Sequence, residues 1–258
     1  MRPAPVLRLL SLCVAALGTA AHAQDRLVQV PTRGSESISY WWMPKDGATA
    51  TVLLFSGGGG GIGYRDGQPQ SNNFLIRSRE LFRGENLNVA LVGNPSDKRQ
   101  MDDAWRTSAA HAADVTAILA SVQQQAAQPV WLVGTSRGTV SAAALGIALQ
   151  AQLAGVVLTA SITSFRQPAA VPQQAIDRIR LPVLVYHHQQ DACPITQSHE
   201  TDWILRKLTA APVKRQMLVT GGANPSGDPC EALHWHGFIG MEAQVAKDIA
   251  AWMRNPQP

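Results

Sequence analysis

The sequence predicts an α/β fold with a mostly parallel central sheet and helices on both of its faces. Two observations carry this expectation. Short, fully apolar runs rich in β-branched residues alternate with longer amphipathic ones, and Gly, Pro, Asn and Asp mark the boundaries between them. In addition, no internal repeat, charge block or low-complexity linker interrupts the alternation.

The first residues read as a targeting segment. Arg2 and Arg8 flank a short basic region, "LLSLCVAALGTAA" is the apolar stretch, and Ala21-His22-Ala23 has the small-x-small form of a cleavage site. A signal peptide is therefore expected over residues 1–23, with residues 24–258 as a single domain that is exported, periplasmic or secreted. The apolar run is shorter than the ~20 residues a spanning helix needs, so no membrane insertion is expected. Two of the 22 Lys and Arg residues fall in the leader, leaving 20 against 18 Asp and Glu, a balance of +2. So weak an excess gives no reason to expect a nucleic-acid or membrane partner.

Within the domain, "RLVQV" and "SISYWWM" read as two edge strands and "ATVLLF" as a buried strand that runs directly into a glycine-rich loop. "NNFLIRSRELFRG" reads as a helix stopped by Gly84, "NVALVG" as a strand, and "DDAWRTSAAHAADVTAILASVQQQ" as one long Ala-rich helix. "PVWLVG" is the next strand, followed by a helix from about Arg137 to Gln150. "AGVVLTAS" and "LPVLVYH" are strands separated by a modestly helical stretch around Gln173 to Arg180. The helix "SHETDWILRKLTA", the strand "VKRQMLVTG" and the amphipathic helix "EAQVAKDIAAWMRN" complete the chain.

The sharpest chemical signal is Gly134-Thr135-Ser136-Arg137-Gly138, a GxSxG placed between an apolar strand and a helix. In that context the serine sits in a strained turn, and the flanking glycines let neighbouring backbone pass without a Cβ clash. A serine hydroxyl needs a histidine to take its proton and an acid to fix that histidine. Asp191 lies just past a strand end in "LPVLVYHHQQDACP", whereas the competing Asp228 lies in a loop rich in Pro and Gly. The base is His234 or His236 in "CEALHWHGFIG".

With these residues in order, the chain resembles an α/β hydrolase over nearly all of residues 24–258. Within that fold it is similar to small esterases and dienelactone-hydrolase-like proteins. The resemblance of His236-Gly237-Phe238 to that group's histidine motif implies His236 as the base, Ser136 as nucleophile and Asp191 as the orienting acid. The dienelactone branch usually carries a cysteine nucleophile, so Ser136 favours ester hydrolysis over lactone chemistry. After the third strand such proteins carry a glycine-rich run that supplies an oxyanion donor. Here that run is "SGGGGGIG", with Ser56 where a histidine is usual. The resemblance implies the amide of Gly58, with Gly59 as second choice, paired with the backbone amide of Arg137.

The same glycines satisfy GxGxxG through Gly58, Gly60 and Gly63, which suggests a dinucleotide site. The following "YRDGQPQSNN" does not open a helix, and "NVALVG" ends without an acidic residue, so this reading is set aside. Cys193 and Cys230, the two cysteines outside the leader, suggest one disulfide in an oxidising compartment, tying the acid loop to the histidine loop. Two buried free thiols are the alternative. His187, His188, Asp191, His199, His234 and His236 form a pool of possible metal ligands, but no ligand spacing appears and adjacent strand residues face opposite ways, so no metal is expected. His111 and His199 are expected to be hydrogen-bonded or solvent-facing helix residues. Trp41, Trp42 and Trp235 line a cleft or, by default, pack. The Arg137 side chain either covers its helix or pairs with an acidic substrate.

The segment "ITSFRQPAAVPQQAIDRIR", where this fold usually carries a lid, holds roughly one helix, so a minimal lid and an open cleft are expected, unless "YRDGQPQSNN" covers the site. The expected function is a serine hydrolase cleaving small-molecule or oligomeric esters through an acyl-enzyme, without a cofactor. A peptidase or amidase with the same triad is the alternative, and a non-catalytic binding protein of the same fold is a more distant one.

Overall fold

The computed structural model describes residues 24–258; the leader expected over residues 1–23 lies outside the described residues. In chain order the elements are β1 (Arg26–Pro31), β2 (Ser37–Met43), β3 (Ala50–Phe55), β4 (Tyr64–Arg65), β5 (Gln68–Pro69), α1 (Phe74–Arg77), α2 (Arg79–Gly84) and β6 (Leu87–Pro95). They continue with α3 (Asp103–Arg106), α4 (Ala109–Gln125), β7 (Val130–Thr135), α5 (Gly138–Ala148), β8 (Gly155–Thr159), β9 (Val183–His188), α6 (Thr201–Lys207), β10 (Lys214–Val219) and α7 (Glu242–Arg254).

Eight strands form one sheet in the order β1-β2-β6-β3-β7-β8-β9-β10. Strand β2 pairs antiparallel with β1 and with β6, and the other neighbours run parallel. Strand β2 is therefore internal rather than an edge strand, which accounts for the burial of Tyr40, Trp41, Trp42 and Met43. The strand alternation splits the core in two. Leu53 and Phe55 of β3 pack with Val115, Ile118 and Leu119 of α4 and Leu145 of α5. Val52 and Leu54 face the other way, towards Phe74, Phe82, Ile249 and Trp252 of α1, α2 and α7. Helices thus cover both faces, as the sequence predicts.

Two expected helices are broken, one of them by a side chain that competes for backbone hydrogen bonds. Ser108 accepts from the His111 amide at 3.1 Å and donates to the Trp105 carbonyl at 2.7 Å, so α3 ends and α4 begins with its own cap. At Ser78 the chain leaves helical geometry (ψ 2°), separating α1 from α2. The expected helix around Gln173 to Arg180 is absent. Two 3-10 turns, Val171–Gln173 and Ile176–Arg178, take its place on either side of an extended Gln174 and bury Val171, Ile176 and Ile179. Asp66-Gly67, with φ of 51° and 72°, makes the two-residue turn between β4 and β5, a hairpin inside what reads from sequence as plain loop. Loops at the carboxyl ends of β3, β7 and β9 converge on one side of the sheet, where open α/β sheets bind ligands.

Candidate active site

Ser136 follows β7 directly with φ 52°, a left-handed backbone that a non-glycine residue holds at a cost of order 1–3 kcal/mol. The Ser136 amide donates to the Thr159 carbonyl of β8 at 3.1 Å, and its carbonyl accepts from the Thr139 amide and hydroxyl at 2.9 and 2.6 Å. Both flanking glycines are required by close backbone. A Cβ at Gly134 would stand 2.5 Å from the Gly138 carbonyl oxygen, and one at Gly138 would stand 2.0 Å from that of Phe55. The result is a half-buried serine held in the cleft by hydrogen bonds on both sides.

Asp191 lies three residues past β9, its amide accepted by the His188 carbonyl at 3.1 Å. Its Oδ2 is 2.9 Å from His236 Nδ1, with the two side chains 0% and 6% exposed. The remaining carboxylate capacity is filled by the Cys193 amide on Oδ1 and the Thr196 hydroxyl on Oδ2, each at 3.0 Å. His236 sits in the 3-10 turn Trp235–Gly237, closed by Phe238 at φ 56°. Arg77 of α1 holds that turn by donating to the Gly237 and Asn72 carbonyls while pairing with Glu242 of α7 at 2.9 Å. Ser136 and His236 line one cleft of about 430 Å³ together with Gly57, Gly58 and Arg137. Among the described residues no direct hydrogen bond joins the serine hydroxyl to the imidazole.

The glycine loop is fixed from behind. Arg106, fully buried, donates to the Gly58 carbonyl at 3.1 Å and to Ser141 Oγ at 3.0 Å. Burial pulls its pKa down to about 10, which Asp103 opposes, so it stays charged near neutral pH. The Gly57 carbonyl accepts from the Gly60 amide at 3.1 Å, the Ser56 hydroxyl donates to the Gly61 carbonyl at 2.8 Å, and Gly59 is held by the Met101 amide at 2.8 Å. Gly57 and Gly58 face the cleft and Gly59 does not. No helix follows the run before α1, and the loop turns through Gly58, Gly60, Gly61 and Gly63 with positive φ.

Other residues singled out by sequence fall elsewhere. Asp228 caps the Cys230 amide at 2.8 Å and bonds no histidine among the described residues, and His234 packs edge-on against Trp235. His187 accepts from the Ser161 amide at 2.6 Å, and burial pushes its pKa down to about 4. His188 stacks on Trp235 at 5.7 Å, lies 3.0 Å from the Gly221 carbonyl through Nε2 and accepts from the Gln190 amide. Among the described residues no three His, Cys, Asp or Glu side chains converge as a metal site. His199 is exposed, but His111 corrects the expectation: it is fully buried, with neither ring nitrogen hydrogen-bonded, because Ser108 breaks the helix and turns His111 onto Phe55. Trp41 and Trp42 are core residues, and Trp235 packs beside the site rather than lining it. The Arg137 side chain pairs with Asp103 at 3.1 Å. Cys193 and Cys230 are joined in a disulfide.

Sequence reasoning missed Thr196, Arg77 and Arg106, which share no motif and meet the site only through folding. Ser71, Asn72 and Asn73, the end of the "YRDGQPQSNN" that the sequence offers as the alternative cover for the site, form one wall of the cleft. Asn73 carries the detectable signal, a helix cap whose side chain accepts from the Leu75 amide at 3.1 Å.

The sheet order and the position of the elbow give the chain the α/β-hydrolase fold. Solved structures of that fold resemble it closely in architecture and distantly in sequence. An esterase from Pyrococcus furiosus superposes with a TM-score of 0.66 at 11% identity, covering 90% of this chain and 92% of its own. A dienelactone hydrolase from Anabaena variabilis gives 0.62 at 15%, covering 91% and 99%. A lidless α/β serine hydrolase from Xanthomonas campestris gives 0.62 at 12%, covering 92% and 98%. No protein-family model and no curated protein matches the chain.

Proposed function

We propose that this chain is a single-domain, exported serine hydrolase that cleaves carboxylic esters. The observation that carries the reading is the strained Ser136 elbow sharing one cleft with a His236 ring hydrogen-bonded to buried Asp191. Ser136 Oγ attacks the ester carbonyl while His236 takes its proton through Nε2. Asp191 keeps the Nδ1 proton in place and stabilises the imidazolium. His236 then protonates the leaving alcohol, and water, activated by the same ring, releases the acyl group. The amides of Gly58 and Arg137 hold the oxyanion. Neither donates a hydrogen bond among the described residues. The Gly57 carbonyl, bonded to the Gly60 amide, turns the Gly58 N–H the opposite way across the same peptide plane. A donor of this kind contributes about 3 kcal/mol to the transition state.

Esters are favoured over amides because two solved proteins of this architecture, one from Pyrococcus furiosus and one cold-adapted, are described as esterases. Export is supported by the leader-like residues 1–23 and by the Cys193–Cys230 bond. The test is a panel of chromogenic esters of increasing acyl length beside aminoacyl anilides, run on the chain from Gln24 and on Ser136→Ala. Ester turnover that falls at least 1,000-fold in the variant is expected. Equal turnover by the variant removes Ser136 as nucleophile, and faster anilide cleavage makes the enzyme an amidase.

A further inference from the structure

The charges around the cleft bear on what is attached to the scissile ester, an inference that rests on the hydrolase reading above. Arg137, the one basic side chain lining the cleft besides His236, is paired with Asp103. Arg106 behind it is fully buried and does not line the cleft. The His236 ring is matched by Asp191. On the histidine-loop side the cleft is lined by Glu231, which is exposed and has no hydrogen-bond or ion-pair partner for its carboxylate among the described residues. Ser71, Asn72 and Asn73, polar residues on the facing loop, are neutral. The surrounding chain reinforces the sign. Between Arg215 and Lys247 there is no Lys or Arg, while Asp228, Glu231 and Glu242 all occur there, and of these Glu242 is neutralised by Arg77.

The unmatched charge in the cleft is therefore negative. We propose that the cleft selects esters bearing a cationic group, such as an ammonium, close to the scissile bond and disfavours acidic ones, with Glu231 as the specificity-determining residue. A solvated carboxylate acting over roughly 6 Å separates a +1 from a −1 substrate by about 10-fold at low salt, and by less as ionic strength rises. Arg137 adds no unmatched positive charge, because its Nη2 pairs with the Asp103 carboxylate.

Three chromogenic esters of one alcohol, with acyl chains of equal length ending in an ammonium, a methyl or a carboxylate, test this. The readout is kcat/KM for each charged ester relative to the neutral one, at low and high salt, in the wild type, Glu231→Gln, Glu231→Lys and Asp228→Asn, with Ser136→Ala as the blank. The expected wild-type preference for ammonium over carboxylate is about 10-fold at low salt and shrinks at high salt. It falls to about 3-fold or less in Glu231→Gln, inverts in Glu231→Lys and persists in Asp228→Asn. A ratio near one, or a ratio that Asp228→Asn removes and Glu231→Gln does not, overturns the inference while Ser136-dependent hydrolysis of the neutral ester leaves the enzyme a hydrolase. If no ester is cleaved faster than by Ser136→Ala, the hydrolase reading fails and the inference fails with it.

Discussion

The Thr196 hydroxyl donates to Asp191 Oδ2 at 3.0 Å and stands 3.1 Å from His236 Nδ1, so one fully buried threonine touches both members of the acid–base pair. Its hydroxyl fills carboxylate capacity that water cannot reach and fixes the rotamer from which Oδ2 meets the imidazole. Thr196→Val is expected to lower kcat about 5- to 10-fold with little change in KM, the scale of one buried hydrogen bond to a charged group. Thr196→Ser should restore most of it. A purely structural threonine would instead shift the thermal midpoint equally in both variants and leave kcat alone.

At Gly138 the backbone of β3 passes so close that a Cβ would stand 2.0 Å from the Phe55 carbonyl oxygen. Neither partner is a flexible side chain. Gly138→Ala is expected to destabilise the protein by about 3 kcal/mol or more, in the range of severe overpacking. Gly84→Ala, where nothing lies within 4 Å of the added atom, serves as the comparison and should change stability by less than about 1 kcal/mol in urea titration.

The Cys193–Cys230 bond spans 37 residues and joins the loop that holds Asp191 to the loop that carries His236. Cross-linking a loop of that length contributes about 3–4 kcal/mol by restricting the unfolded chain. Because Cys193 also donates its amide to Asp191, the bond is expected to pre-organise the pair as well. Reduction, or Cys230→Ser, is expected to lower the unfolding free energy from urea titration by that amount and to reduce kcat several-fold at temperatures where the protein remains folded. Lost stability with unchanged kcat would leave only the crosslink role; no change in either would remove both.

His111 is held neutral in the core, its pKa pushed down to about 3 first by burial and then by Arg106. His187 is likewise pushed down to about 4, mainly by burial, with Asp191 opposing. Below the ordinary histidine pKa of about 6.5 the unfolded chain takes up these protons and the folded chain does not, so stability falls as pH falls. The window runs from about 6.5 down to about 4 for the pair, with a slope of up to about 1.4 kcal/mol per pH unit for each ring. Urea titrations between pH 7 and 5 should show this decline, and His111→Met should remove about half of the histidine part of the slope. An unchanged slope in His111→Met would mean that the ring is protonated in the folded protein.

Much of the fold is written locally. Fully buried runs such as Ala50–Phe55 and Val130–Thr135 are strands because only a doubly covered parallel sheet buries both of their faces. Where tertiary packing competes with local pattern, the sequence misleads. Ser37–Met43 looks like an edge strand, yet pairing on both sides makes it internal. The Ala-rich segment from Asp102 reads as one helix, yet the Ser108 side chain ends one helix and starts another.

By itself the sequence determined the chain order of the eight strands of the large sheet, the GxSxG turn with its two obligatory glycines, and the residues Ser136, Asp191 and His236 as candidates, because strand–turn–helix chemistry depends on neighbours along the chain. The tertiary structure decided which acid meets which histidine, that Arg137 pairs with Asp103, and that Thr196, Arg77, Arg106 and Glu231 surround the site. Those are contacts between side chains on separate elements. Their partners are selected by distance and by exclusion of water, neither of which is encoded in spacing along the chain.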